Sequence, residues 1–183
     1  MVTTLEKIVL KNDEESINPI EEKMVDLINI ALKAAQAKLS LALRKNDLGE
    51  LFQRHDFMNW FKYNLSENIS EILSENDKKI LEIHLFEPSA NPDAESGEYL
   101  PMDASLHLLV LVEATSAGLT ALITSLDRAL VKFIKDLPSP LFTNLTSMLD
   151  VIPVTKEDVE NRTGYAALLT SIYAPPLKIW HRE

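Results

Sequence analysis

One apolar run near the middle of the chain constrains the fold more than any other feature. Residues 105–113 read Ser-Leu-His-Leu-Leu-Val-Leu-Val-Glu, without Gly or Pro. The run is too short to span a membrane. A short apolar run of this kind is typical of a strand that is buried on both faces. Residues 79–86 have a similar pattern and predict a neighbouring strand, and the Pro-, Asp- and Ser-rich residues 87–104 between them predict a loop.

Three helices are predicted before these strands. Asn18 and Pro19 have the residue types of a helix start, and apolar residues then recur at helical spacing, which predicts a helix over 18–45. Capping patterns at Asp47 and Asn64 predict two more helices, over 47–61 and 65–74. We expect His55 to pack on the apolar stripe of the second helix. We expect three neighbouring aromatic residues to form a core cluster, namely Trp60, Phe61 and Tyr63.

Helices and strands alternate after the central run. An apolar stripe predicts a helix over 117–137, and residues 147–154 predict a third strand in which Pro153 marks an edge or an end. Thr155 and Asp158 predict a capped helix that runs to about residue 173, and residues 177–181 predict a last strand.

This order of elements predicts an α+β fold, with helices packed on a mixed β-sheet. We place an N-terminal helical extension at 1–63 and the α/β domain at 64–183. We expect the helix over 117–137 to pack on the sheet.

Composition argues against several classes of function. The chain of 183 residues has no cysteine, which excludes disulfides, thiolate metal sites and cysteine nucleophiles. Residues 1–13 lack the apolar core of a signal peptide, so we expect a cytoplasmic protein without a membrane partner. The net charge is −10, and residues 80–127 contain carboxylates but no Lys or Arg. Phosphate binding depends on such cations or on helix N-termini, so we expect no nucleic-acid partner.

Several strings from residue 64 onward follow the pattern of a known family. They are Leu85-Phe86 before a loop, the run 106–113, the helix after it, and residues 149–152, which read Leu-Asp-Val-Ile. Together they resemble the minimal nucleotidyltransferases of the DNA polymerase beta type. In that family the first strand ends in L-F-G-S-x-A, the second carries D-x-D, and the third brings a further carboxylate.

The chain departs from this motif where the family carries its chemistry. Glu87 and Pro88 stand in place of Gly-Ser, and Ser105 and His107 stand where the two aspartates are expected. Asp150 matches the third carboxylate. Nucleotidyl transfer needs clustered carboxylates around a divalent metal, and Mg²⁺ favours oxygen anions over a neutral imidazole. The resemblance therefore implies a vestigial site at Glu87, Ser105, His107 and Asp150, without the family's activity.

Two functions of different classes follow from this interpretation. The first is a non-catalytic nucleotidyltransferase-like protein that acts as a binding or regulatory module and needs no cofactor. The alternative is a metal-dependent nucleotidyltransferase, or another metal-dependent enzyme, with a relocated acidic site that would use Mg²⁺. Its carboxylates would come from Asp103, Glu113 and Asp150.

Histidines offer a second set of metal ligands. His84, His107 and Asp150 would suit a transition metal. From this set and the acidic set together, we take Asp103, His107 and Asp150 as the metal-ligand candidates of the chain. Both histidines are more simply explained as strand residues with hydrogen-bond partners. The resemblance is also open to a simpler account, in which the chain is another α+β domain.

The helix over 18–45 is the candidate partner surface. Its apolar stripe is long, Ile30 and Leu32 lie off that stripe, and a run of alanines permits close approach of a second helix. We expect a homodimer or a protein partner through this helix. The competing account is that helices 47–61 and 65–74 fold back and cover it.

Overall fold

A four-stranded mixed sheet organises the part of the chain that the structure describes. The computed structural model describes residues 19–39, 48–86, 104–136, 142–173 and 175–183. The sheet order is β3-β2-β1-β4; β1 is antiparallel to β2 and β4, whereas β2 and β3 are parallel. The strands are β1 Ile80–Leu85, β2 Leu106–Val112, β3 Leu149–Thr155 and β4 Leu177–His181. The predicted α+β class is confirmed, as is the pairing of the first two strands.

The positions of the strands follow from their residues. In β2 every residue except Leu111 is buried, as expected for an apolar inner strand. β3 is an edge strand, and it contains Pro153. Proline has no N–H to donate to a neighbour, so an edge is where a sheet tolerates it. The predicted position of Pro153 is therefore confirmed.

Helices account for most of the remaining described residues. They are α1 Pro19–Lys38, α2 Leu48–Leu51, α3 His55–Asn76, α4 Ala117–Lys135, α5 Lys156–Glu160 and a 3₁₀ helix, Gly164–Thr170. Pro19 is the first residue of α1, as predicted. The helix predicted from residue 117 also begins there, and the Ser116 hydroxyl accepts a hydrogen bond from the Leu119 N–H at the start of α4. Asn18, Asp47 and residues 40–45 lie outside the described residues. The packing of α4 on the sheet stays a prediction. None of the described helices is long and apolar enough to cross a membrane.

The predicted helices over 47–61 and 65–74 are wrong in their boundaries. One continuous helix, α3, runs through the expected start at Asn64, and only the short α2 precedes it. The Asn64 amide donates to the Trp60 carbonyl, and the Ser70 hydroxyl donates to that of Ser66, so both polar side chains bond back into the helix. His55 begins α3 and is exposed, which contradicts its expected position on a buried stripe.

The predicted helix over 156–173 is also wrong beyond its first turn. It ends at Glu160, and a 3₁₀ helix follows from Gly164. Arg162 and Gly164 both have positive φ, at 51° and 52°. A right-handed helix cannot pass through such residues, and glycine at one of them relieves the steric cost of the turn.

The start of α5 has the predicted capping box. The Thr155 hydroxyl accepts a hydrogen bond from the Asp158 N–H at 3.2 Å, and the Asp158 carboxylate accepts from the Thr155 N–H at 2.8 Å. Hydrogen bonds from the side chain and backbone of Thr155 lower the pKa of Asp158. The cap therefore joins the end of β3 to α5.

Replacement of this cap gives a testable loss of stability. We expect Thr155→Ala to lower the free energy of unfolding by about 1 kcal/mol, because two backbone N–H groups lose their side-chain partners or their alignment. Urea unfolding measures the change. Thr163→Ala is the matched control, because Thr163 begins the 3₁₀ helix without a side-chain cap hydrogen bond. Equal losses in the two variants contradict the role of the capping box.

The chain divides into two compact units. One contains Met1–Leu65 and Ser125–Met148, and the other contains Ser66–Thr124 and Leu149–Glu183. The sheet and the described candidate site residues belong to the second unit. Residues 125–148 group with the N-terminal residues, and the predicted domain boundary between residues 63 and 64 stays a prediction.

The core of the first unit contains a cluster of aromatic rings. Phe52 makes edge-to-face contacts with three other phenylalanines at centroid distances of 5.0 to 5.4 Å, namely Phe57, Phe61 and Phe142. Of the three residues expected to cluster, only Phe61 belongs to this core. Trp60 and Tyr63 are half-buried and contact each other, and the Lys38 ammonium lies 4.6 Å from the centre of the Trp60 ring.

Candidate functional site

Two of the predicted site residues meet on one face of the sheet. His107 on β2 and Asp150 on β3 are register partners, so their side chains leave the sheet on the same side. His107 Nδ1 lies 3.0 Å from Asp150 Oδ2. The His107 side chain is only 11% exposed, whereas that of Asp150 is 53% exposed. The carboxylate therefore fixes the orientation of a buried imidazole from the solvent side.

Aromatic and aliphatic residues surround this pair. The Phe86 ring lies 5.6 Å from that of His107 and 5.7 Å from that of Tyr165, which is in the 3₁₀ helix. Phe86 also belongs to a buried cluster on the same face, with Leu109, Val154 and Ala166. The segment that follows β3 therefore covers part of this face, and the site is a shielded imidazole rather than an open carboxylate cluster.

The other candidates occupy different positions or fall outside the described residues. Ser105 directly precedes β2, two residues before His107, and is half-buried. Glu87 and Asp103 lie outside the described residues. Glu113 is exposed beyond the far end of β2, about 20 Å along the strand from the position of His107. Glu113 and Asp150 are therefore too far apart to bind one metal ion.

A second polar cluster lies on the same face of the sheet. His84 Nε2 is 2.9 Å from Glu82 Oε2, and the Lys178 ammonium donates to Glu82 Oε1 at 2.8 Å. His84 is opposite Leu109, while the Phe86 N–H donates to the His107 carbonyl, so the two histidines are diagonal neighbours. Such positions are about 7–8 Å apart. Each histidine has its own carboxylate, and the described residues contain no group of three or more His, Asp or Glu side chains that could hold a metal ion.

His84 and Glu82 both have pKa values below their ordinary ones. Burial lowers the pKa of His84, and the hydrogen bond and charge of Glu82 offset only part of that effect. For Glu82, burial acts in the opposite direction, but hydrogen bonds from Lys178 and His84 outweigh it and lower its pKa. These shifts favour neutral His84 beside an ionised Glu82–Lys178 pair.

Sequence reasoning missed this second cluster. Glu82 and His84 are two residues apart on a predicted strand, which places them on one face. Lys178 gave no such signal, because it lies 96 residues further along the chain. Residues 80–127 lack Lys and Arg, but β4 brings a cation from outside this segment to its carboxylate.

Comparisons with known proteins add no relative to this geometry. No protein-family model, curated protein or solved structure matches the chain. The resemblance to nucleotidyltransferases stays a prediction.

Proposed function

We propose that the protein is a non-catalytic nucleotidyltransferase-like module that acts by binding rather than by nucleotide transfer. One observation carries the proposal: Asp150, the carboxylate that matches the family's third, has His107 as its partner 3.0 Å away. In the motif this position of the neighbouring strand belongs to a second carboxylate. The parallel register of His107 and Asp150 supports the proposed ancestry.

The chemistry of this pair explains the expected loss of activity. Two carboxylates on adjacent strands bind a divalent metal through several oxygen anions, and the metal then offsets charge on the triphosphate. An imidazole in place of one carboxylate removes a negative charge and directs a ring nitrogen at the remaining carboxylate. The site retains the orientation that the family requires but lacks its charge.

Nucleotide transfer provides the direct test. We expect the purified protein, with Mg²⁺ or Mn²⁺ and each common nucleoside triphosphate, to release pyrophosphate no faster than a protein-free blank. A coupled pyrophosphate assay measures the rate. Two alanine variants interpret any activity that is found, Asp150→Ala at the site and Glu113→Ala at the distant exposed carboxylate. Metal-dependent release that survives Glu113→Ala but is lost in Asp150→Ala overturns the proposal and supports the alternative of a nucleotidyltransferase.

The binding surface that we propose is an exposed stripe on α1, and the proposed partner is a second copy of the chain. Most of the predicted stripe is not exposed, because four of its members are buried within one chain, namely Met24, Ile28, Ala31 and Ala35, and Leu27 and Leu39 are half-buried. The residues that support the proposal lie on another side of the helix. Ile30 is 53% exposed, and Ala34 and Ala37 follow it at helical spacing with partial or full exposure. Sedimentation equilibrium tests this part, since a monomeric mass throughout the micromolar range contradicts it.

A further inference from the structure

The open edge of β3 lacks two of its backbone donors. Pro153 has no N–H, and a sheet tolerates it where that N–H would face away from the neighbouring strand. Thr155, two residues further on, directs its N–H to the same side, and this N–H donates to the Asp158 carboxylate at 2.8 Å. An additional strand would therefore find neither donor on β3. The loss of edge donors is one way in which proteins prevent edge-to-edge association.

The open edge of β4 keeps its donors and acceptors. The Arg182 N–H donates to the Leu81 carbonyl of β1 at 2.9 Å. Neighbouring residues of a strand direct their backbone groups to opposite sides, so the N–H and C=O of His181 point away from β1. Lys178 points the same way, because His181 and Lys178 are opposite β1 residues that are two positions apart. Among the described strands only β1 pairs with β4, and none of the five residues of β4 is buried.

Exposed apolar side chains lie beside this edge. Four of the five large apolar side chains that are exposed in the described part of the chain lie between residues 165 and 177, namely Tyr165, Ile172, Tyr173 and Leu177. Leu177 begins β4 opposite Leu85, and the Tyr165 ring lies 5.7 Å from that of Phe86, the next residue of the chain. These side chains form an apolar patch at the N-terminal end of β4, and such patches mark interaction sites.

Two cations accompany the strand. The Lys178 ammonium donates to Glu82 at 2.8 Å, but its side chain is 47% exposed and has further donors for a second carboxylate. Arg182 directly follows β4, and its guanidinium donates to a β1 carbonyl, which has no charge to offset that of the arginine. Glu183 is the one acidic side chain in residues 175–183. The strand therefore has positive charge on its edge in a chain whose net charge is −10.

We propose that β4 binds an extended acidic segment of another protein, which joins the sheet as a fifth strand. Backbone hydrogen bonds to Lys178 and His181 supply the pairing, as in other cases of strand addition. Carboxylates of the partner contact the cations, and an apolar residue of the partner contacts the apolar patch. This surface is formed by the second unit alone and is independent of the dimer proposed for α1, which belongs to the first unit.

The charges determine which strand can occupy this edge. A lysine and a bulge are common protections of an edge strand, and β4 has Lys178 and a register shift against β1. Unlike a missing N–H, a positive charge excludes only those strands that do not neutralise it. A second copy of β4 would bring Lys178 and Arg182 against the same residues of the first, and like charges across a strand pair are unfavourable. An acidic segment is attracted by the same charges.

Binding of designed peptides to the full chain tests the proposal. The probe is a labelled octapeptide of alternating Glu and Val, capped at both ends, which places its carboxylates on one face of a strand. Fluorescence anisotropy at pH 7 is expected to show saturable binding that weakens as salt is added. The same peptide with Lys in place of Glu is expected not to bind. A third peptide, methylated at every backbone nitrogen, keeps the charge but has no N–H, so we expect it to bind at least about tenfold more weakly.

Two substitutions at one position separate strand addition from attraction between charges. His181→Pro removes the outward N–H, as Pro153 does on β3, and leaves the hydrogen bonds to β1 in place. We expect the Glu–Val peptide to bind this variant about tenfold more weakly. His181→Thr is the matched control, because it removes the same ring but keeps the N–H and suits a strand, so its affinity is expected to stay within about twofold of the wild type.

Each outcome decides for or against the acidic strand. Absence of saturable binding by the Glu–Val peptide overturns the proposal, and equal binding of the methylated peptide reduces it to attraction between charges. Equal affinities of His181→Pro and His181→Thr overturn strand addition at β4. If His181→Pro does not fold, the methylated peptide decides the matter with the wild-type protein.

Sedimentation equilibrium separates this edge from the proposed dimer. A dimer that His181→Pro weakens and Ile30→Glu does not would assign the edge of β4 to a second copy, and so overturn the acidic partner. A dimer that Ile30→Glu weakens while His181→Pro leaves it intact supports the dimer through α1 and keeps β4 open for the acidic strand.

Discussion

Phe52→Ala is expected to lower the free energy of unfolding by about 3–5 kcal/mol, one of the two largest effects that we expect from a single substitution in this chain. Phe52 is fully buried and lies at the centre of the aromatic cluster, with its ring against those of Phe57, Phe61 and Phe142. Truncation removes the transfer free energy of one ring and leaves a cavity that three stiff neighbours cannot fill. The edge-to-face contacts add to the loss.

Urea unfolding followed by far-UV circular dichroism measures this effect. Phe52→Leu is the matched control, because it keeps most of the apolar volume but none of the aromatic contacts. We expect it to lower stability by about 1 kcal/mol, as for other swaps that nearly conserve volume. A loss below about 1 kcal/mol for Phe52→Ala contradicts the central position of this ring, and equal losses for the two variants contradict the cavity argument.

Local patterns predicted the elements whose signals are complete within a few residues. The run at 106–112 gave β2 because an inner strand needs an uninterrupted apolar sequence. The Thr155–Asp158 pair gave the start of α5, since a capping box spans four residues. Pro153 indicated an edge because a missing N–H has the same consequence in any sheet.

The errors arose where a local signal had two meanings. Asn64 has the residue type of a helix cap, but inside a helix its amide can bond back to the carbonyl four residues earlier. Tertiary burial decided between these uses, because Leu65 and Ile69 are fully buried where α3 continues. The end of α5 had a similar cause, since Arg162 adopts a positive φ that its residue type does not predict.

Contacts between residues distant in sequence were the least predictable part of the structure. The meeting of His107 and Asp150 followed from the resemblance, because alternate strand positions and a neighbouring third strand place them on one face. The Glu82–Lys178 ion pair had no such guide, since strand periodicity does not identify the partner of an edge strand. Phe142 was missed for the same reason, because it follows a proline-rich stretch and reaches its partners only in the folded chain.

Substitution by glutamate is expected to reduce the stability of the protein strongly at one position on α1 and hardly at all at another. Leu32 is 1% exposed within a single chain, whereas Ile30, two residues away, is 53% exposed. A carboxylate at position 32 is removed from water without a partner, or must take up a proton, and either route costs several kcal/mol. The sequence interpretation placed both residues off the apolar stripe, as sites for further neighbours of the helix, and the burial of Leu32 assigns it to the core of the first unit.

We therefore expect Leu32→Glu to unfold the first unit, with a loss of more than about 4 kcal/mol, and Ile30→Glu to change stability by less than about 0.5 kcal/mol. Circular dichroism with urea measures both, and Leu32→Ala, with an expected loss of about 2–5 kcal/mol, separates the buried charge from the lost volume. A folded Leu32→Glu contradicts the burial of this side chain.

A comparison of the wild type with Ile30→Glu tests the proposed dimer, because this substitution leaves the helix intact and adds like charges to the exposed stripe of both copies. Sedimentation equilibrium is then expected to give a dimeric wild type and a weakened dimer for Ile30→Glu. An equal dimer in both proteins rules out this stripe as the contact.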